Sequence, residues 1–464
     1  MELQKHQINT AKYLLDKDVN GVIVYHGLGS GKTLTSIDVA SKLKEQSLVI
    51  VPASLISNYR KEISKYKGNA KKFKVISYEG SLKMNINVDN KVLIIDEAHR
   101  LRNQYRKNAK KIMEASKNAL KIVLLTGTPL VNRPSDISPL VNMIAKRNVL
   151  PTNNEEFKER YVETRINKVK TPVTVLGVVV YQTVKWEKRP RMKNKAMFEE
   201  AIKGKISYYE NNDKSLYPTT KYHYKAVEMS NMQSKLHTKI EKSTLSRVEL
   251  KMLSQNYAVD AGDKNAKGVG SRINAYLSKS RQLSNMVNGV PSPKVKELIN
   301  HVKNSAKPVV VYSNYLEHGV VMFSKLCEEN QISYRLFTGS VSEKKKKEIV
   351  DDYNKRKFDV LLLSRSGSEG LDLKSTREIH IMEPYWNNSQ LDQVIGRGVR
   401  YLSHMALPEN ERHVDIYYWY SVYPKGWGIV KEKVSSDLYL INMSKEKTRL
   451  AGEFKDSMKR MSVI

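Results

Sequence analysis

Short apolar runs rich in β-branched residues recur along the chain, each closed by small or polar residues. Four lie near the start: "GVIVYHG" (21–27), "SLVIVPAS" (47–54), "KVLIIDEAH" (91–99) and "KIVLLTGTP" (121–129). Three more follow much later: "KPVVVYSNY" (307–315), "DVLLLSRSGSEG" (359–370) and "REIHIMEP" (377–384). These runs are continuously apolar, not alternating, which predicts parallel strands in sheets covered by helices on both faces. Amphipathic stretches over 33–46, 54–66 and 343–355 predict some of the covering helices. The expected fold class is α/β, with strand–helix units repeated in two blocks. In such sheets ligands bind beyond the carboxyl ends of the strands, where nearly every unusual motif of both blocks is expected.

Between the blocks the texture changes. Residues 166–205 carry ten Lys/Arg against three Asp/Glu, and include the β-type stretch "VTVLGVVVYQTVKW" (173–186). Tyrosines and turn residues follow in "SYYENNDKSLYPTTKYHY" (207–224), then basic helical sequence to about 288. "NGVPSPK" (288–294) reads as a linker into the second block. The expected division is residues 1–150 as a first lobe, 151–290 as a basic, Tyr-rich insert with a helical connection, and 291–464 as a second lobe with a short extension. The lysines from Lys344 to Lys347, flanked by glutamates, read as a solvated helix face.

Composition narrows the function classes. The net charge is +32, from 80 Lys+Arg against 48 Asp+Glu, and so basic a surface attracts polyanions, of which nucleic acid is the commonest. Cys327 is the only cysteine, which excludes an intramolecular disulfide and a cysteine metal cluster and fits a reducing compartment. No apolar run is long enough to span a bilayer, so no membrane partner is expected.

The chemistry-bearing motifs close the predicted strands. "HGLGSGKT" (26–33) follows one strand and opens a helix, the arrangement in which backbone N–H groups and a helix N-terminus cradle phosphates. Gly27, Gly29, Ser30 and Gly31 would form the cradle, Lys32 would reach the β- and γ-phosphates, and Thr33 would hold Mg²⁺. His26 stands where the strict G-x-x-x-x-G-K-S/T pattern has its first glycine, and is expected to shape the loop or touch phosphate. In "VLIIDEAH" (92–99), Asp96 is placed to hold the metal's water shell and Glu97 to orient or deprotonate the attacking water. In "LLTGTP" (124–129), Thr126 and Thr128 are candidates to bond Asp96, phosphate or a nucleic-acid backbone.

With these motifs in order, the chain resembles the superfamily-2 helicases and translocases over almost its whole length. "LQKHQINTAKYLL" (3–15) resembles their adenine-reading segment, which implies Gln7 as the adenine contact. "VIVPASLISNYRKEI" (49–63) resembles the first lobe's strand-holding motif, and "DEAH" the second nucleotide motif. "VVVYSN" (309–314) and "YRLFTGSVSEKKKKEIVDDYN" (334–354) resemble strand-binding elements of the second lobe, while "LLLSRSGSEGLDL" (361–373) and "QVIGRGVR" (393–400) resemble its last two motifs. "LLTGTPLVN" (124–132), "RQLSN" (281–285) and residues 364–400 are similar to the Swi/Snf-related branch, many of whose members track duplex DNA without separating it. "GKISYYENNDKSLYP" (204–218) and "SSDLYLINMSKEK" (435–447) resemble ATPases of large DNA viruses, relatives of poxvirus nucleoside triphosphatase I and of the small subunit of the early transcription factor.

The resemblance implies two RecA-like lobes facing a nucleotide cleft, with ATP and Mg²⁺ as cofactors. Arg397 and Arg400, three apart on a predicted helix, would bind the γ-phosphate, with Gln393 coupling them to the nucleotide. Gly396 and Gly398 would let the backbone approach closely. Grips on nucleic acid would lie near Ser54, Thr338 and Ser364, and also at Thr126. The implied activity is an ATP hydrolase that translocates on DNA, in viral transcription. A strand-separating DNA or RNA helicase and an ATP-switched structural subunit of a transcription assembly stand as alternatives. Duplex DNA is the favoured partner over single-stranded DNA or RNA, with a viral RNA polymerase or transcription factor as protein partner. The implied location is host-cell cytoplasm or virion for a viral protein, and otherwise cytoplasm or nucleus. The motifs reach close to both ends, so the middle insert is the expected seat of specificity.

Overall fold

The computed structural model describes residues 3–27, 29–66, 70–175, 178–211, 214–254, 267–365, 371–386, 388–424 and 433–464. Leu28 of the phosphate-loop motif, residues 366–370 of "LLLSRSGSEGLDL" and Asn387 lie outside these. Two compact units divide the chain: Met1–Glu210 with Glu446–Ile464, and Asn211–Lys445.

In the first unit, strands β1 (Gly21–His26), β2 (Ser47–Val51), β3 (Phe73–Ser77), β4 (Val92–Ile95) and β5 (Lys121–Thr126) form a parallel sheet. Strands β6 (Val162–Val175) and β7 (Val178–Met192) pair only with each other, and β8 (Ile206–Tyr209) returns to the sheet. The sheet order is β3-β2-β4-β5-β1-β8. Side chains of one strand feed both faces: Ile23 and Tyr25 join one apolar cluster, Val22 and Val24 the other. Leu93/Ile95 and Val92/Ile94 divide in the same way, as do Ile122/Leu124 and Val123/Leu125. That double burial is why these strands are continuously apolar, each large side chain contributing roughly 1.5–3 kcal/mol.

In the second unit, β9 (Thr219–Glu228) lies at the sheet edge, and β10 (Met286–Val287) and β11 (Val290–Pro291) form a small hairpin. Then come β12 (Val309–Ser313), β13 (Tyr334–Phe337), β14 (Val360–Ser364), β15 (Glu378–Ile381) and β16 (His413–Val422). The order is β13-β14-β12-β15-β16-β9, again all parallel. Both blocks are thus the α/β lobes expected.

The predicted covering helices appear at Lys32–Lys42, Ile56–Lys65 and Glu343–Asn354. On the last, Lys345–Glu348 and Lys346–Glu343 pair at the surface, as a solvated face should.

The chain divides differently from the three-part expectation. The segment 151–290 is shared between the two units, β8 completing the first sheet and β9 the second. Residues 446–464 belong with the first unit, where Phe454 and Met458 pack among Phe157, Tyr161 and Phe198. Nor is "NGVPSPK" a linker. Asn288 and Gly289, both at positive φ (49° and 82°), close the β10–β11 hairpin, and the Ser292 hydroxyl caps the helix Pro293–Asn304 by accepting from Val295 N–H.

Candidate functional site

The phosphate loop runs from the carboxyl end of β1 into the helix Lys32–Lys42. Gly29 and Gly31 hold φ of 75° and 73°, a region that costs a side chain dearly. A Cβ on Gly31 would also collide with Gln7 Nε2. That amide donates to the carbonyls of Gly31 (3.2 Å) and Ser30 (3.4 Å), while Gln7 Oε1 accepts from Gln4 N–H (2.8 Å). Gln7, implied as an adenine contact, is here a buried brace under the loop. Lys32 Nζ donates to the carbonyls of His26 and Gly27, 3.0 Å each, so its ammonium lies across the loop it is expected to serve. Ser30 Oγ closes the turn onto Gly27 O (2.7 Å). Gly31→Ala is expected to weaken ATP binding at least about tenfold, from strain of roughly 1–2 kcal/mol plus displacement of Gln7. Titration with a fluorescent ATP analogue checks this, with Gly452→Ala, whose Cβ meets open space, as the control.

His26 shapes the loop from beneath. Its ring is fully buried, and Nε2 lies 2.8 Å from Ser207 Oγ on β8. Burial, with smaller contributions from His6 and Lys32, pulls its pKa down to about 3, so the imidazole is neutral at working pH. His6 donates from Nε2 to Ser30 O (3.0 Å) and stacks on Tyr209 at 3.5 Å. His6, Ser207 and Tyr209 thus form a floor that the motifs do not announce. Its only trace in the sequence is the four-residue strand inside a segment read as insert.

The carboxylates follow β4. Asp96 is nearly buried, and burial, then the neighbouring Glu97 charge, raises its pKa to about 6 against the opposing pull of Lys32 and Arg100. Its Oδ1 accepts from Glu97 N–H (2.9 Å). Glu97 sits at positive φ (50°), an uncommon conformation for a non-glycine residue, and its carboxylate remains one-third exposed. Tyr78, another residue the motifs do not flag, donates its hydroxyl to the carbonyls of Asp96 (2.8 Å) and Glu97 (3.1 Å), fixing this turn. His99 Nδ1 lies 3.3 Å from both Glu97 Oε2 and Thr126 Oγ1, and Thr126 in turn accepts from Thr128 N–H (3.1 Å). A polar chain therefore links Glu97 to the turn after β5. Thr126 is fully buried within it, so its hydroxyl faces no surface a nucleic acid could reach. Thr33, one residue beyond Lys32, is half-buried at the start of its helix.

In the second unit, Ser364 closes β14 and Thr338 follows β13, both largely buried, with Thr338 Oγ1 bonded to Ser340 Oγ (2.8 Å). Ser54, in the first unit, is exposed on a short turn after β2. The helix carrying Gln393 and Arg397 spans Asn388–Gly398, so Arg400 lies beyond its end, not one turn along a shared face. Gly398, the last helical residue, lies tight on the neighbouring segment: a Cβ there would press on Thr376 Oγ1 (3.1 Å), Thr376 Cβ (3.2 Å) and Ile379 Cδ1 (3.2 Å). Arg400 Nη1 donates to Leu371 O (3.0 Å) and Asp372 Oδ1 (3.2 Å), and the following turn packs on Ser375 and Thr376. Those residues precede β15, so this motif sits near the strand's entry end, unlike the phosphate loop and the Asp96 turn.

"RQLSN" has a buried role. Arg281 is boxed by Tyr315, Tyr385 and Trp386 at 5.6, 5.4 and 5.1 Å, so all three rings pack around one buried guanidinium. Asn285 Nδ2 donates to Glu383 (2.9 Å), a buried carboxylate that also accepts from Ser313 Oγ and Asn314 N–H and so ties the ends of β12 and β15. His301, Glu378 and His380 form a cluster of metal-ligand type. Trp419, a donor only, gives its N–H to His380 Nδ1 (3.2 Å), so the His380 proton sits on Nε2 and points to Glu378 (2.9 Å). The cluster is therefore a hydrogen-bonded support.

The SNF2-related domain model matches residues 6–93 and 83–288, and the helicase conserved C-terminal domain model matches 293–401. The chain is 34% identical to an Acanthamoeba polyphaga mimivirus protein named as an ATP-dependent RNA helicase, over 97% of this chain and 95% of that one. It belongs to the SNF2-related family. A termination factor NPH-I homologue of African swine fever virus is 25% identical, over 96% of this SNF2-related chain and 76% of its own. Nucleoside triphosphatase I of Choristoneura biennis entomopoxvirus is 24% identical, over 90% and 73%. This SNF2-related protein is an ATP hydrolase, and its phosphate loop and Asp96–Glu97 turn lie at the carboxyl ends of β1 and β4, the two strands that flank β5 in the first sheet. Among the described residues, no helix is long and apolar enough to cross a membrane.

Proposed function

We propose that this protein is a DNA-dependent ATPase that couples hydrolysis to translocation along duplex DNA, serving viral transcription. One observation carries the reading: Lys32 across a phosphate loop and a buried Asp96 beside a partly exposed Glu97, in a chain related to viral termination factors and triphosphatases. Lys32 holds the β- and γ-phosphates, and Glu97 orients the attacking water. Asp96 and Thr33 fit Mg²⁺: a buried carboxylate whose charge is costly without a cation gains most from one. The ion would neutralise charge building on the phosphates. From the second unit, Arg397 and Arg400 bind the γ-phosphate as turnover begins, with Gln393 positioning them. Grips near Ser54, Thr338 and Ser364 hold the nucleic-acid backbone and carry no base information.

The mimivirus relative favours a second reading, an RNA helicase. Hydrolysis rates with no polymer, duplex DNA, single-stranded DNA and RNA, measured beside a strand-displacement assay, decide between them. Stimulation by duplex DNA without displacement is the expected result. Robust displacement, or stimulation by RNA alone, would replace translocation with unwinding. Absent hydrolysis under every condition would leave a structural subunit.

A further inference from the structure

The phosphate loop is tied from beneath by groups that its own motif does not contain. Thr10, His26 and Ser207 are fully buried, and His6 nearly so. Thr10 Oγ1 donates to His6 O (2.8 Å) and lies 2.8 Å from Ser207 Oγ, which in turn lies 2.8 Å from His26 Nε2. A hydroxyl has one proton to give, which fixes the direction of every step. Thr10 spends its proton on the His6 carbonyl, so Ser207 donates to Thr10. Ser207 has then spent its own, so it accepts from His26, whose proton sits on Nε2. The neutral ring is left bare at Nδ1, which is buried and has no hydrogen-bond partner.

The chain of bonds closes on itself. His6 Nε2 donates to Ser30 O (3.0 Å), Ser30 Oγ donates to Gly27 O (2.7 Å), and Gly27 follows His26. Gly27 N–H also donates to Tyr209 O (2.8 Å), so β8 holds both residues that open the loop. β8 is itself fixed along its other edge, where Tyr208 N–H donates to Ser462 Oγ (2.9 Å) and Val463 N–H to Ile206 O (2.9 Å). In a planar trans peptide the carbonyl of one residue and the N–H of the next point opposite ways. His6 and Gln7 hold the Ser30 carbonyl from below, and Gln7 holds that of Gly31. The N–H groups of Gly31 and Lys32 are thereby turned away from this floor, to the side where a phosphate would lie.

We propose that Ser207 and Thr10 are positioning residues for ATP binding: their directed chain anchors His26 and His6, and through them aims the loop N–H groups at the phosphates. The proposal rests on the phosphate-loop reading above and extends it to β8, which stands outside every nucleotide motif. Oriented N–H groups serve ground state and transition state alike, because the phosphate charge they meet is present in both. Losing their aim should therefore raise KM for ATP and leave kcat nearly unchanged.

The test compares Ser207→Ala, Thr10→Val and Thr10→Ser in the full chain, by steady-state hydrolysis and by titration with a fluorescent ATP analogue. Thr10→Val keeps the shape of the side chain and removes its hydroxyl, while Thr10→Ser keeps the hydroxyl. Ser207→Ala and Thr10→Val should each weaken ATP binding about five- to tenfold, the scale of one buried hydrogen bond, with kcat within about twofold. Thr10→Ser should bind ATP like the wild type. NMR of protein carrying ¹⁵N-labelled histidine should place the His26 proton on Nε2 in the wild type and share it with Nδ1 in Ser207→Ala. Unchanged ATP affinity in both hydroxyl-free variants would overturn the proposal, as would a His26 proton resting on Nδ1 in the wild type. A fall in kcat and in unfolding midpoint at unchanged KM would make the two hydroxyls merely structural, and overturns it too. Should Lys32→Ala also bind ATP like the wild type, the phosphate-loop reading fails instead.

Discussion

Asp96→Asn is expected to stabilise the nucleotide-free protein and to disable it in one step. The Asp96 carboxyl is buried beside Glu97, and its pKa is raised from 3.8 to about 6. A group whose folded pKa lies above its unfolded value binds its proton more tightly when folded. Its ionisation therefore costs folding free energy as pH rises from about 4 to 6, and the whole cost is present above pH 6. Roughly two pKa units amount to about 3 kcal/mol. Asparagine carries no charge to bury and keeps an oxygen for Glu97 N–H. At pH 7, without nucleotide or divalent cation, urea unfolding of the variant should shift to higher midpoint by up to about 3 kcal/mol. The advantage should fade as pH falls through 6 and vanish below 4. ATP turnover should fall by on the order of 10² or more, the scale of losing one preorganised charge at a transition state. Equal stability of the two proteins at pH 7 would mean that the carboxylate is not strained in the free enzyme. The stored cost is what a cation bound at Asp96 would relieve, so a divalent cation should narrow the stability gap between the two proteins.

Much of this architecture is legible in the sequence because burial on both faces leaves a plain mark. Strands such as Val92–Ile95 and Val360–Ser364 are apolar at every position but the last of the latter, since each alternate side chain enters a different core. The phosphate loop and the Asp96 turn are legible for a related reason: their residues close such strands. What escaped follows other physics. β8 is four residues long, and its role as the loop's floor depends on Ser207 and Tyr209 meeting His26 and His6 from about 180 to 200 residues away, which no local pattern encodes. β9 is an exposed edge strand whose Thr, Lys and Tyr residues read as insert. Asn288-Gly289 is a strong hairpin signal, but with strands of two residues on either side the apolar alternation that would confirm it is missing. Arg397 and Arg400 have helical spacing, yet Gly398 must lie tight on Thr376 and the helix ends there.

That helix end sharpens the expectation for Arg400→Ala. Were Arg400 a helical neighbour of Arg397, the two could act as one fork, and losing one would be partly covered by the other. It instead stands on its own turn, with Nη1 directed at Leu371 O and Asp372, and Asp372 is itself more than half exposed. An ion pair this exposed contributes little stability, about 0–1 kcal/mol, so the guanidinium is held in place without being locked. If Arg400 meets the γ-phosphate, its removal should cost turnover about 10³ or more, the lower bound for an arginine finger, while ATP affinity stays within a few-fold. Lysine should not rescue, because a single ammonium cannot reproduce the planar two-pronged donor. Asp372→Asn weakens the resting pair and leaves the phosphate-facing role intact, so its turnover should match or exceed the wild type. Single-turnover hydrolysis with separate nucleotide titration distinguishes these outcomes. A merely structural Arg400 would give the opposite pattern: the alanine and asparagine variants would lower the unfolding midpoint together, and turnover per folded molecule would hold.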